Sequence, residues 1–225
     1  MPAFGILQEL ESALEPSGIR LRGVVSFAEG EGPSLDEGGS ALSVVLLGNV
    51  GGSIWPGFAA WRRDYFGSDP LDAWSKAVIG PVAERLGATA FYPSDPPYMP
   101  FQRWAMRAEG LKASPLGILI HPRYGLWHGY RGALAFRDDI GTRPSAMEPS
   151  PCDTCAGKPC LSACPAGAIS LSGFAVDPCR AHLVTAEGQA GCMSSGCVAR
   201  NACPVGAGYR YPEAQLRFHM DALFS

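Results

Sequence analysis

The sequence predicts an α+β protein in two parts: a sheet with helices packed on it over residues 1–140, and a small cysteine-ligated domain over 141–225. Three observations carry this. Segments of helical and strand periodicity alternate along the first part in the order α, β, β, α, β, α, β, β. All eight cysteines lie between Cys152 and Cys203, and none precedes them. Between the two regimes, residues 137–151 (RDDIGTRPSAMEPSP) have the prolines and polar residues of a linker.

The elements follow in order. Over 2–17, Phe4, Ile6, Leu7, Leu10, Ala13 and Leu14 share one helical face, and Pro16 and Gly18 end it. Residues 19–28 read as a strand, and 29–40 (EGEGPSLDEGGS) as a loop. Residues 41–50 do not alternate in polarity, which predicts a strand buried on both faces. The glycines of Gly48–Gly52 form a turn into a helix and do not match a phosphate-binding fingerprint. Asp69 caps the next helix, with Pro70 at its first position. Leu71, Trp74, Ala77, Val78, Val82 and Leu86 are its expected buried stripe. ATAFYP is a short strand, DPPYMP an extended loop, and Phe101–Glu109 a helix stopped by Gly110. Residues 116–121 and 126–136 are expected to pair as a hairpin across HPRYG. Pro212 starts a last helix whose Leu216, Phe218, Met220 and Leu223 need a docking surface.

Composition narrows the function. With 47% hydrophobic and 17% charged residues the chain has enough apolar content for a core. A net charge of −3 gives no reason to expect the basic surface of a nucleic-acid binder. No apolar run reaches the ~18 residues of a membrane span. The first residues lack a basic region followed by an apolar one, so no secretory signal is read and a reducing cytoplasm is expected. In that setting C-x-x-C spacing indicates metal ligation rather than disulfides. Only Lys76, Lys112 and Lys158 are lysines.

Thiolate ligands select zinc or iron–sulfur clusters. The first run is C-x2-C-x4-C-x3-C-P. It differs from the bacterial ferredoxin run by a two-residue insertion, Gly157-Lys158. The second, C-x12-C-x4-C-x5-C-P, is looser, but both end alike, in Cys164-Pro-Ala-Gly-Ala and Cys203-Pro-Val-Gly-Ala. This weak repeat suits two 4Fe-4S clusters, with zinc as the lesser alternative. In ferredoxins the last cysteine of a run serves the other cluster. Applied here, that rule assigns Cys152, Cys155, Cys160 and Cys203 to one cluster. Cys164, Cys179, Cys192 and Cys197 form the other.

The C-terminal third resembles the dicluster ferredoxin module of epoxyqueuosine reductases, through CP-x-GAI, the isolated Cys179 in Pro178-Cys179-Arg-Ala-His-Leu-Val-Thr, and a final group of three cysteines ending in CP. The first two thirds resemble cobalamin-processing proteins of the CblC type and the reductases' own corrinoid domain. The carrying residues are Ile120-His121-Pro122-Arg123-Tyr124-Gly125-Leu126-Trp127 and Tyr130-Arg131-Gly132-Ala133-Leu134, with Asp69-Pro70-Leu71-Asp72 a weaker match. The resemblance implies a nitroreductase-like first domain, and cofactor contacts from His121, Arg123, Tyr124, Gly125 and Trp127. The guanidinium of Arg123 would clamp an anionic or amide group of the ligand.

The expectation is an iron–sulfur oxidoreductase, a reductase that passes electrons from an external donor (flavodoxin, ferredoxin or a reductase) to a corrinoid of the cobalamin type. The alternatives are an electron carrier with a partner-docking domain, and a reductase that binds flavin. The 225 residues show no match to the helical-repeat domain with which epoxyqueuosine reductases engage tRNA, so a tRNA-modifying role is not expected. No catalytic acid is assigned: Asp95, Asp138 and Asp139 read as solvated loop charges, and His128, His182 and His219 as structural or exposed.

Overall fold

A computed structural model describes residues 3–141 and 149–223. Residues 142–148 of the expected linker lie outside the described residues. The α+β class holds, and the chain forms two compact units. One comprises Met1–Gly110 with Gly129–Met147, and the other Leu111–His128 with Glu148–Ser225. These differ from the expected segments 1–140 and 141–225. The stretch from Leu111 to His128, with its HPRYG turn, groups with the cysteines.

The first unit is built on a sheet of order β1-β2-β6-β3, from β1 (Arg20–Ser26), β2 (Ser43–Val50), β3 (Thr89–Phe91) and β6 (His128–Phe136, with Gly129 onward in this unit). Seven successive residues of β2, Ser43–Asn49, are buried, as its unbroken apolar pattern predicted. Gly48 is required where β2 meets β6, since a Cβ there would lie 1.9 Å from the Gly129 carbonyl oxygen.

Around this sheet lie α1 (Ala3–Leu14), α2 (Trp55–Arg62), α3 (Pro70–Leu86) and α4 (Phe101–Glu109). Leu7, Leu10 and Leu14 of α1 are buried. In α3 the buried residues are Trp74, Ser75, Ile79, Val82 and Ala83. Ala77, expected in the stripe, is exposed. The face is rotated because Ser75 turns inward and satisfies its hydroxyl on the Leu71 carbonyl at 2.7 Å. Asp69 precedes α3 as expected, but in a left-handed conformation (φ 46°), and its backbone carbonyl rather than its side chain accepts from Asp72 and Ala73. Gly110 ends α4 at φ 66°.

In the second unit β4 (Lys112–Ala113) pairs with β5 (Leu119–Ile120). This corrects the expected hairpin of 116–121 with 126–136. The turn closes on itself through His121 and Gly125, which exchange both backbone hydrogen bonds at 2.9 and 2.8 Å. Beyond that single bridge the strands part, because β6 pairs in the four-stranded sheet. The cysteine run folds as short helical turns: α5 (Pro151–Thr154), α6 (Pro159–Ala163), α7 (Val176–Leu183), α8 (Ala186–Gly188) and α9 (Val198–Asn201). A small β7 (Ile169–Ser170)–β8 (Gly173–Phe174) ribbon and a π turn over Gln189–Met193 interrupt them. The last helix, α10 (Glu213–Asp221), docks within this unit. Its Met220 packs with Leu183, Cys192 and Met193, and Leu216 with Trp127 and Tyr211. Phe218 is half-buried and Leu223 exposed.

Candidate functional site

The short turns of the second unit bring the eight cysteines to two cavities. Cys152 on α5, Cys155 at its end, Cys160 on α6 and Cys203 line one. Cys164 after α6, Cys179 on α7, Cys192 on the π turn and Cys197 before α9 line the other. Proline punctuation makes this possible. Pro151 and Pro159 open α5 and α6 at positions where the missing N–H is not needed. The glycine Gly167, at φ 59°, turns the chain after the first Cys-Pro.

The electrostatics divide the thiols in the same way. Burial pushes the Cys152 thiol up, and Cys203, Cys160 and Cys155 push it further, against the pull of Lys158. Cys203 is raised by burial, then by Cys160 and Cys155, while the Val205 amide lowers it. Burial also raises Cys179, followed by Cys197, Cys164 and Cys192. Cys197 is raised chiefly by burial, with Cys192 and Cys164 adding to it and the amides of Arg200 and Ala199 opposing. The influences on these four thiols never cross from one quartet to the other. Backbone N–H groups thus point at sulfur in both sites; a further one is that of Ala168, 3.4 Å from Cys164 Sγ. Among the described residues no group of three or more His, Cys, Asp or Glu side chains converges as needed to hold one metal ion.

The HPRYG residues are placed within the same unit. His121 Nδ1 accepts from the backbone N–H groups of Arg123 at 2.9 Å and Tyr124 at 3.2 Å, which puts its ring proton on Nε2. Its ring stacks on Tyr124 with centroids 4.2 Å apart. Arg123 Nε donates to the Tyr209 hydroxyl at 2.8 Å. Gly125 adopts φ 59°, and a Cβ there would sit 1.9 Å from the Val205 carbonyl oxygen. Gly206 adopts φ 69°, and its Cβ would meet Tyr124 at 2.3 Å. The turn is therefore locked against the segment after Cys203 by two glycines. Trp127 is fully buried, with Tyr211 edge-on at 5.4 Å and the Arg200 guanidinium 4.4 Å above its ring. Each of the five has a packing or hydrogen-bonding role in the cysteine unit.

Three residues at the cavities were given no role by the sequence, His182 among them having been read as structural or exposed. Lys158 lines the first, and His182 and Arg200 line the second. Lys158 falls in the two-residue insertion, a signal the spacing held. Arg200 and His182 had none, since a helical turn near a cysteine does not reveal which way its side chains go.

The first unit holds one buried charged network. A bulge between Leu21 and Gly23 leaves Arg22 as the extra residue of β1. Arg22 forks onto Glu109, with Nε–Oε1 at 3.1 Å and Nη2–Oε2 at 3.2 Å, and donates to the Asn49 carbonyl at 3.0 Å. The Tyr130 hydroxyl also donates to Glu109. Burial holds the Glu109 carboxyl above its ordinary range, against the lowering influence of Arg22 and Tyr130. Asp95 sits in a part-exposed ion pair with Lys76 at 2.7 Å. Asp139 accepts from Ser26 at 3.1 Å and from the Gly141 N–H at 3.0 Å, so it is tied into the chain.

The class defined so far is an α+β fold with two cysteine-lined cavities. In fold the chain is similar to the crystal structure of a Caenorhabditis elegans B12-trafficking protein, CblC, a homologue of human MMACHC. The TM-score is 0.54 at 13% identity, over 96% of this chain and 91% of that one. No family model and no curated protein matches the sequence.

Proposed function

We propose that the chain is an iron–sulfur oxidoreductase that holds two 4Fe-4S clusters in its second unit and reduces a corrinoid. The supporting observation is the separation of eight thiols into two quartets of four, each lining its own cavity. Ligand chemistry fits: all donors are thiols, as iron–sulfur clusters prefer, and none is left over. Four sulfurs that surround a cavity without converging on one point suit a cluster, whose cysteines each bind a different iron, better than a tetrahedral zinc ion. When bound, such a cluster takes up or releases one electron at a potential set by its surroundings.

The chain's own residues prepare these sites. Amide N–H groups near Cys164, Cys197 and Cys203 donate to sulfur and stabilise negative charge there. Leu116, Ile120, Leu126, Ile169 and Ala199 pack against five of the partly buried cysteines and give them an apolar wall. Because burial raises the free thiols, metal binding must displace their protons.

The corrinoid half of the proposal rests on the likeness of fold to a B12-trafficking protein, together with the HPRYGLW resemblance. On this reading the exposed Arg123 contacts the ligand, and a flavodoxin- or ferredoxin-type donor supplies electrons in a reducing cytoplasm. Anaerobic titration of the whole protein with hydroxocobalamin tests it. The expected outcome is a spectral change and a higher Tm, since a ligand at 100 times its Kd adds about 2.7 kcal/mol to the folded state. Neither change, in protein that carries its iron, would leave an electron carrier without a corrinoid. The second reading is favoured by one observation: the HPRYG side chains already have partners among the residues of the cysteine unit.

A further inference from the structure

Lys158 stands in the two residues by which the first cysteine run exceeds ferredoxin spacing. Its backbone is left-handed, φ 36° and ψ 56°, and its carbonyl accepts from Leu161 at the start of α6. A lysine rarely adopts this conformation. Its half-buried side chain returns along the cavity wall, and Nζ donates to the Cys152 carbonyl at 2.6 Å. Among the described residues no carboxylate pairs with it. The nearby Asp153 is instead 3.3 Å from Lys112, both well exposed. Among the described residues that line this cavity, the ammonium is the one charged side chain, and the rest are thiols and apolar groups.

A positive charge beside a redox group favours the state carrying the extra electron. We propose that Lys158 sets the reduction potential of the cluster held by Cys152, Cys155, Cys160 and Cys203, holding it above the value the same four thiolates would give without the charge. This rests on the cluster reading above. Lys158 is a positioning residue in this scheme and not a ligand.

Three variants of the full chain test it: Lys158→Gly, which suits the positive φ and deletes the charge; Lys158→Asn, neutral and tolerant of that conformation; and Lys158→Arg, which keeps the charge. Each is reconstituted anaerobically, assayed for iron, and titrated with dithionite while the reduced clusters are followed by electron paramagnetic resonance. Each cluster takes one electron from the titrant. In both neutral variants one of the two midpoints is expected to move negative, by about a tenfold change in the oxidised-to-reduced ratio, about 59 mV for one electron. The other midpoint and the Arg variant stay in place. Unchanged midpoints in iron-replete neutral variants overturn the inference. So does loss of half the iron in both neutral variants, which would assign Lys158 to assembly. Absence of iron from the unsubstituted protein defeats the underlying reading instead.

Discussion

At the scale of single residues, Arg22 shows how a local irregularity becomes a structural device. The bulge in β1 re-aims its side chain into the interior, where Glu109, Asn49 and Tyr130 receive it. The pair is bidentate and its side chains are only 2% and 9% exposed. Removing one partner leaves the other charge buried and unpaired, so Arg22→Ala is expected to lose about 3–5 kcal/mol in denaturant unfolding. Arg22→Lys should recover only part of this, because an ammonium cannot reproduce the fork. Tyr92 offers a pH test. Burial first, then Asp95 and Glu84, push its phenol up to about 12. The unfolded phenol loses its proton near 10, so the folded state binds more protons between 10 and 12 and stability falls as pH rises through that window. Unfolding measured across it should show a shallower fall in Tyr92→Phe. None of these contacts was legible in the sequence, because an arginine in a strand looks solvent-facing until the bulge is known.

At the scale of elements, the sequence was a good guide where one local rule decides. The buried run of β2, the helix ended by Gly110 and the docking of Leu216 and Met220 on α10 follow from periodicity and capping, whereas Leu223 of the expected α10 face is exposed. Where two rules compete it was poorer. Residues 126–136 have the pattern of a hairpin partner, but β6 satisfies its backbone in the four-stranded sheet and leaves β5 to β4. Ala77 looked apolar enough for the α3 stripe, yet Ser75 is buried in its place by bonding within the helix. The HPRYG turn carries the clearest test at this scale. Gly125 and Gly206 each combine a positive φ with a neighbour's backbone closer than any Cβ tolerates. Gly125→Ala and Gly206→Ala should each destabilise the chain by roughly 1–3 kcal/mol and lower iron retention, read by thermal unfolding and iron assay. Gly87, at positive φ with nothing within 4 Å of its Cβ position among the described residues, serves as the control: its alanine variant is expected to carry only the backbone strain.

At the scale of the molecule, the cysteine pattern predicted two sets of four thiols, and the same two sets line the two cavities, while the extent of the cysteine unit was hidden. Leu111–His128 joins it through packing that no linker composition signals, as with Gly125 against Val205 and Trp127 against Tyr211. The crossing can be tested directly. Cys155→Ser and Cys203→Ser, far apart in the sequence, should abolish the same cluster signal; Cys179→Ser and Cys192→Ser should abolish the other. The central claim is that two clusters occupy these sites, and iron and acid-labile sulfide assayed per chain after anaerobic reconstitution address it most directly. The account predicts about eight of each, four for every 4Fe-4S cluster, in a brown protein. One or two zinc ions per chain, with little iron and no sulfide, would contradict it.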